Sequence, residues 1–516
     1  MIQFDWIGKW ADYFPDKIAV KEFAQVNSAD ERDRTLTYGQ LNSVANYFSR
    51  LFISEYGLKH GDRIAVLSEN SLEHIILFSV AQKTGLILVP LNYRLASREI
   101  DYQLTDSEPS LIIVESMSID KVNGLDSYNK IPIKILREEL SERTDKLKDK
   151  SYNFAPNELI NENDPIFILY TSGTTGNPKG ALYTFKMLVW NSFNTSLRLD
   201  ITSLDRSVSC TPMYHTGGWN VIPTPFLHHG AFVCITKKFN HDLILQLLEN
   251  EKATMFMAVP TMLAMMAQSK TFKKVKLSNL KFLVIGGEPM PTRLIKIWHK
   301  KGIPVRQGYG LTEVGPSVTS LHQNDAIRKI GSIGKVNFYV KYRIVDEGDN
   351  DLKKGEIGEL ILKGPTVTPG YWRNEEETNR AIKDGWFHTG DLVREDEEGF
   401  LYVVDRKKNM FISGGENVYP AEVERFLYTH PAIEEVAVIG VPDAKWGEVG
   451  KAFIKLKKGK VLSVDEVLKF CKGNLARYKI PKYVQFVDEI PKNETGKIDK
   501  RQLLDLHLKS TNKKIN

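Results

Sequence analysis

The sequence predicts an α/β protein. A large N-terminal domain of layered α/β subdomains with a small β-barrel is followed by a small α+β C-terminal domain. Three observations carry this. Strand-like runs alternate with helical patterns over the first four hundred residues, which implies parallel layers. Around Lys341–Leu362 the pattern becomes strand-rich and punctuated by glycine. After Tyr402-Val-Val-Asp-Arg a compact stretch of about a hundred residues mixes both element types, within the usual size of a domain. The boundary is placed near Asp405 to Lys408, giving domains 1–404 and 405–516.

The strand-like runs are Arg63–Leu67, Leu86–Pro90, Ser110–Val114, Phe232–Ile235 and Lys281–Ile285. Between them lie helical patterns such as Leu41–Phe52 and His241–Glu251. In the C-terminal domain Ala421–Tyr428 and Val464–Asn474 read as helices, and Ile433–Gly440 and Tyr483–Val487 as strands. The most apolar region, Ile75 to Pro90, is interrupted by Gln82 and Lys83 and is too short to span a bilayer.

At 516 residues, with 42% hydrophobic and 26% charged residues, the chain has the composition of a soluble globular protein with large cores. A net charge of +6 is small for this length. It suits anionic ligands and is no nucleic-acid footprint. Cys210, Cys234 and Cys471 have no paired spacing, so neither a disulfide framework nor a zinc site is expected. That usage points to a reducing compartment. No secretory signal is visible. A cytoplasmic protein is expected, with peripheral contact at the inner membrane left open.

The most informative stretch is Tyr170-Thr171-Ser172-Gly173-Thr174-Thr175-Gly176-Asn177-Pro178-Lys179-Gly180. It follows the apolar run Pro165–Tyr170, a buried strand by pattern. Small residues let backbone N–H groups approach a phosphate closely, hydroxyls add donors, and a lysine adds charge. The expected ligand is a nucleoside triphosphate. The spacing is not that of a Walker A loop, since Pro178 stands where that motif requires its second glycine.

This stretch resembles the phosphate-binding signature of the adenylate-forming superfamily, which includes acyl-CoA synthetases, peptide-synthetase adenylation domains and luciferases. Further motifs follow in that superfamily's order, from Leu36-Thr37-Tyr38 to Lys500, so the resemblance spans nearly the whole chain. Gly308-Tyr309-Gly310-Leu311-Thr312-Glu313 resembles the adenine and magnesium motif. The resemblance implies that Tyr309 stacks on adenine, Thr312 contacts the α-phosphate and Glu313 ligates Mg²⁺. Aromatic face, hydroxyl and hard carboxylate suit those roles. Gly286-Gly287-Glu288 matches the other wall of the adenine slot. In Trp386-Phe387-His388-Thr389-Gly390-Asp391, Asp391 is implied to bind the ribose hydroxyls, with Arg406 touching ribose and phosphate.

Lys497, in Pro491-Lys492-Asn493-Glu494-Thr495-Gly496-Lys497, matches the catalytic lysine. A lysine there lowers the repulsion between a carboxylate and the α-phosphate. Lys408 falls at the hinge position, from which the resemblance implies a mobile C-terminal domain. Gly414-Gly415 belongs to the loop implied to serve the second half-reaction, beside a pantetheine arm.

The acyl side is carried by Pro212-Met213-Tyr214-His215-Thr216-Gly217-Gly218-Trp219. His215 is implied to lie near the reacting carboxylate, against a purely structural histidine. Trp219 matches a gating tryptophan of bacterial long-chain enzymes. A gate favours medium- or long-chain fatty acids; a fixed floor favours short or aromatic ones. The gate is the reading preferred from sequence. The implied reaction joins a carboxylic acid, ATP and coenzyme A, with Mg²⁺ as metal, through an acyl-AMP. Loading of a carrier protein in trans is the alternative acceptor.

Overall fold

A computed structural model of the chain describes residues 4–24, 33–171, 178–287, 290–472, 474–492 and 498–512. Two compact units are present. The first comprises Met1–Tyr342 and Ile361–His388, the second Arg343–Leu360 and Thr389–Asn516.

The first unit holds two large sheets. One has six strands, in the order Ile133–Leu136, Leu111–Val114, Arg63–Leu67, Ile87–Pro90, Pro165–Thr171 and Lys179–Thr184. The first five run parallel; the last folds back antiparallel. The other has nine strands, with Val305–Tyr309, Phe282–Ile285, Met255–Ala258, Arg206–Ser209, Phe232–Ile235 and Ile18–Glu22 forming its parallel middle. Antiparallel strands close both edges. The expected α/β layering is therefore present, and all six strands expected by pattern in this unit exist within one residue of their expected bounds.

Chemistry-bearing segments sit where parallel sheets favour ligands, beyond the carboxyl ends of strands. Thr171 ends one strand and Tyr309 another. Gly286 follows Phe282–Ile285, and the His215 segment follows Arg206–Ser209.

Helix Leu72–Thr84 explains the apolar region noted in the sequence. All thirteen of its residues are buried, so it has no polar face. Its charged groups survive burial by pairing. Lys83 meets Asp5 at 2.5 Å, and Glu73 meets Arg34 at 2.7 Å. No helix among the described residues is long and apolar enough to cross a membrane. The three cysteines are buried free thiols.

The second unit is built on the strands Glu416–Val418, Phe411–Ser413, Gly447–Leu456 and Ile433–Asp443, with Tyr483–Phe486 parallel to Gly447–Leu456. Helices Pro420–Leu427 and Val464–Cys471 supply core residues Val423, Leu427 and Val467. Also in the second unit, Asp391–Glu395 pairs antiparallel with Leu401–Arg406, joining Asp391 to Arg406 in register.

Candidate active site

In the first unit, strands Pro165–Thr171 and Lys179–Thr184 place Thr171 directly opposite Lys179. Ser172, Gly173, Thr174 and Thr175, expected to bind phosphate, lie outside the described residues, as do Glu288 and Lys497. The flanks are well defined. Thr171 Oγ1 donates to Glu313 Oε1 at 3.2 Å. The Tyr371 hydroxyl donates to the same oxygen, also at 3.2 Å. Burial, and then the Glu313 carboxylate beside it, raises the Tyr371 phenol above its ordinary value, so it stays a donor at neutral pH.

Lys179 forms an ion pair with Glu377, and its ammonium stands 5.3 Å from the centroid of the Tyr371 ring. Thus the structure brings Thr171, Lys179 and Glu313 together and adds two residues that sequence reading missed, Tyr371 and Glu377. Their own neighbourhood, Gly370-Tyr371-Trp372, looks like a bland turn. The signal is tertiary: Trp372 N–H donates to Gly180 O at 2.7 Å and Leu182 N–H to Gly370 O at 3.1 Å, laying this segment along the strand after the glycines.

Thr312 and Glu313 occupy one short 3₁₀ turn, and both are half-buried. Tyr309 and Gly310 precede it. A side chain at Gly310 would put its Cβ 2.3 Å from the Pro316 carbonyl oxygen, so the close chain approach that shapes this turn requires glycine. Gly286, with Gly287 at φ +87°, follows the neighbouring strand, and a Cβ on Gly286 would stand 3.7 Å from the Gly308 carbonyl oxygen. The two expected walls of the adenine slot are therefore adjacent at backbone level. Among the described residues no group of three or more His, Cys, Asp or Glu could hold a metal. A single carboxylate such as Glu313 fits Mg²⁺, which is commonly held by one or two carboxylates together with substrate phosphates.

The segment expected on the acyl side is held from outside by Asn70 and braced within by Trp219. Asn70 donates to Thr211 O at 3.0 Å and to Thr236 O at 3.3 Å, and its Oδ1 accepts from Met213 N at 2.9 Å. The Met213 carbonyl accepts from the Trp219 indole N–H. Trp219 is fully buried, with ring centroids 5.0 Å from Phe167, 5.9 Å from Phe78 and 6.1 Å from His74. Burial pushes the His74 imidazole down to about 4, so it is neutral at pH 7. His215 is half-buried, its ring 4.5 Å from that of Tyr214.

In the second unit Arg406 Nε pairs with Asp391 Oδ1 at 2.9 Å. Gly390 N–H donates to Glu359, whose other oxygen pairs with Lys407. Lys408 occupies a 3₁₀ turn, where burial and then Arg406 lower its pKa. Asp405 fastens this turn to the next helix, accepting from Arg406 N at 2.6 Å and Ala421 N at 2.7 Å. Gly414 and Gly415, at φ +62° and +90°, form the two-residue turn of the hairpin Phe411–Val418. Two positive φ values in succession favour glycine at both positions.

Residues 7–372 match the AMP-binding enzyme family, and residues 422–497 match the AMP-binding enzyme C-terminal domain. A feruloyl-CoA synthase from Amycolatopsis sp is 36% identical over 91% of this chain and 93% of its own length. An indoleacetate–CoA ligase from Aromatoleum aromaticum is 35% identical over 98% of each chain. The long-chain-fatty-acid–CoA ligase FadD13 from Mycobacterium tuberculosis is 35% identical over 91% of this chain and 93% of its own. The crystal structure of ATP-bound MatB from Rhodopseudomonas palustris superposes with a TM-score of 0.88 at 31% identity, covering 98% of this chain and 99% of that one. MenE from Bacillus subtilis with ATP and magnesium ion gives 0.84 at 30% identity, covering 97% and 99%. With both family segments matched in order, and whole-length relatives above 30% identity, the chain belongs to the AMP-binding enzyme family.

Proposed function

We propose that the chain is an AMP-forming acid–CoA ligase. A carboxylate attacks the α-phosphorus of ATP, giving acyl-AMP and pyrophosphate. The thiol of coenzyme A then attacks the acyl carbon, giving the thioester and AMP. The observation that carries this reading is the convergence of Thr171, Lys179 and Glu313 around Tyr371. Relatives named as CoA ligases or synthases support the acceptor.

In this reading Glu313 would hold Mg²⁺, which supplies charge neutralisation of the triphosphate when bound. Its Oε1 is already occupied by two hydroxyl donors, which fixes the carboxylate plane. Thr312 contacts the α-phosphate, Tyr309 with Gly286 and Gly287 receives adenine, and Asp391 with Arg406 receives ribose. His215 stands near the acid and Lys497 acts as the catalytic lysine. We retain 1–404 and 405–516 as the functional division, with Lys408 as hinge and Gly414-Gly415 serving thioester formation.

For the acid, we favour a compact apolar acid, aromatic in type, over a long fatty chain. Trp219 supports this: its indole is enclosed by aromatic rings and tied to the Met213 carbonyl, as suits a fixed wall. The feruloyl and indoleacetate relatives agree. A fatty acid is the second reading, favoured by the likeness to FadD13.

Incubation of the chain with ATP, Mg²⁺, coenzyme A and a panel of aryl and alkyl acids tests both levels, with products identified by mass spectrometry. AMP, pyrophosphate and acyl-CoA are expected, with aryl acids preferred. Formation of ADP, or no thioester with any acid, would overturn the ligase reading.

A further inference from the structure

One neighbouring segment holds Lys179 directly and reaches Thr171 through the Glu313 carboxylate that both Thr171 and Tyr371 contact. Thr171 shares an acceptor oxygen with the Tyr371 hydroxyl, and Lys179 lies over the Tyr371 ring. Lys179 is also ion-paired with Glu377 Oε2, and the side chains of the two are only 11% and 12% exposed. Glu377 is itself held in place. Its Oε1 accepts from Arg380 at 2.6 Å, and its backbone N–H donates to Asn374 Oδ1 at 3.1 Å, the cap of helix Glu375–Ala381. Tyr371 N–H donates to Thr378 Oγ1 at 2.9 Å on the same helix.

We propose that Lys179 is a tether, not a triphosphate contact, and that Glu377 is the positioning residue that holds it. The inference rests on the reading of ATP as substrate and changes the part this lysine plays there. An ammonium that leaves a partly enclosed carboxylate and an aromatic face gives up a desolvated pair and a cation–π contact. Reaching a phosphate would only replace one anion with another. Staying put fixes the strand end opposite Thr171, and with it the base from which the phosphate-binding residues start. The same segment sets both sides of that base, because Tyr371 serves Glu313 through its hydroxyl and Lys179 through its ring.

The experiment measures ATP and AMP binding to the full chain by calorimetry, without acid or coenzyme A. It compares the unaltered protein with Lys179→Met, Glu377→Gln, the double variant and Lys179→Arg. A tether predicts that each of the first two weakens ATP and AMP by the same factor, about three- to tenfold, and that the double variant is no worse than the weaker single one. Lys179→Arg, which keeps the ion pair, should restore most of the affinity for both nucleotides. If Lys179→Met weakens ATP at least about tenfold more than AMP, the lysine contacts the β- or γ-phosphate and the tether is overturned. Additive losses in the double variant overturn it as well. An unaltered chain that binds neither nucleotide would sink the ATP reading itself, a result separable from ATP-selective loss in one variant.

Discussion

Asn70 and Met213 are 143 residues apart in sequence, yet the Asn70 side-chain oxygen accepts from the Met213 N–H at 2.9 Å. Asn70 is 2% exposed and spends its amide hydrogens on the carbonyls of Thr211 and Thr236. A residue just beyond strand Arg63–Leu67 of the six-stranded sheet thereby fixes the segment that follows strand Arg206–Ser209 of the nine-stranded one.

Replacing Asn70 with alanine should therefore act twice. Three backbone groups, two of them in buried bonds, lose their partners, which should cost about 2–4 kcal/mol in stability. The segment bearing His215 is released, so KM for the acid should rise more than KM for ATP. Denaturant unfolding and steady-state kinetics check both. An equal rise in the two KM values would mean that Asn70 supports the fold without setting the acyl side.

Glu22 gives a pH dependence with a definite sign. Arg34 pairs with it at 3.0 Å, but burial, and then the neighbouring Glu73, push its carboxyl up to about 7; Arg34, Arg137 and Lys237 oppose this. Because the folded value lies above the unfolded one of 4.5, the folded state holds the proton more tightly. The contribution to stability is full below that unfolded value and is lost as pH rises through about 7. Glu22→Gln should flatten the stability profile over that window relative to the unaltered chain. Parallel profiles for the two proteins would show that Glu22 titrates at its ordinary value.

Tyr371 offers a test of the Glu313 carboxylate that leaves the carboxylate in place. Tyr371→Phe removes one of two donors to Glu313 Oε1 and keeps the ring under Lys179. The Mg²⁺ concentration for half-maximal activity should rise about three- to tenfold, the net worth of one lost hydrogen bond. Glu313→Gln should raise it further, with partial recovery at high Mg²⁺. An unchanged Mg²⁺ requirement in both variants would remove Glu313 from the metal.

How far this site could be read in advance depended on the range of the interactions that build it. The strand Pro165–Thr171 and the glycines after it are local features, legible from an apolar run meeting small residues. Helix Leu72–Thr84 was harder, since burial on every side erases the helical period and leaves only a long apolar run. Glu377 was invisible because its partner Lys179 is 198 residues away, and an acidic helix start reads locally as nothing more than that. Asn70, in Ser68-Glu69-Asn70-Ser71, looks like a turn before a helix, and only the meeting of two sheets gives it three partners. Trp219 was placed in the acyl segment by resemblance, but whether it moves depends on what encloses it, which no local pattern encodes.

That enclosure makes Trp219 the sharpest test of acid choice. The indole is fully buried, hydrogen-bonded to the Met213 carbonyl, and packed against Phe167 and Phe78. Swinging it out as a gate would break that bond and expose the aromatic faces it covers. On the proposed reading, held as a wall, it would end the space available to the acid. Trp219→Ala should cost about 3–5 kcal/mol in stability, so Trp219→Phe is the better kinetic probe because it keeps most of the packing. A wall predicts that long alkyl acids are poor substrates of the unaltered chain and become substrates in the variants. The gain should approach about 0.8 kcal/mol for each extra methylene buried. A gate predicts the reverse order: long acids already accepted, and acceptance lost on truncation. Efficient turnover of long fatty acids by the unaltered chain would overturn the wall and, with it, the structural reason for preferring an aromatic acid.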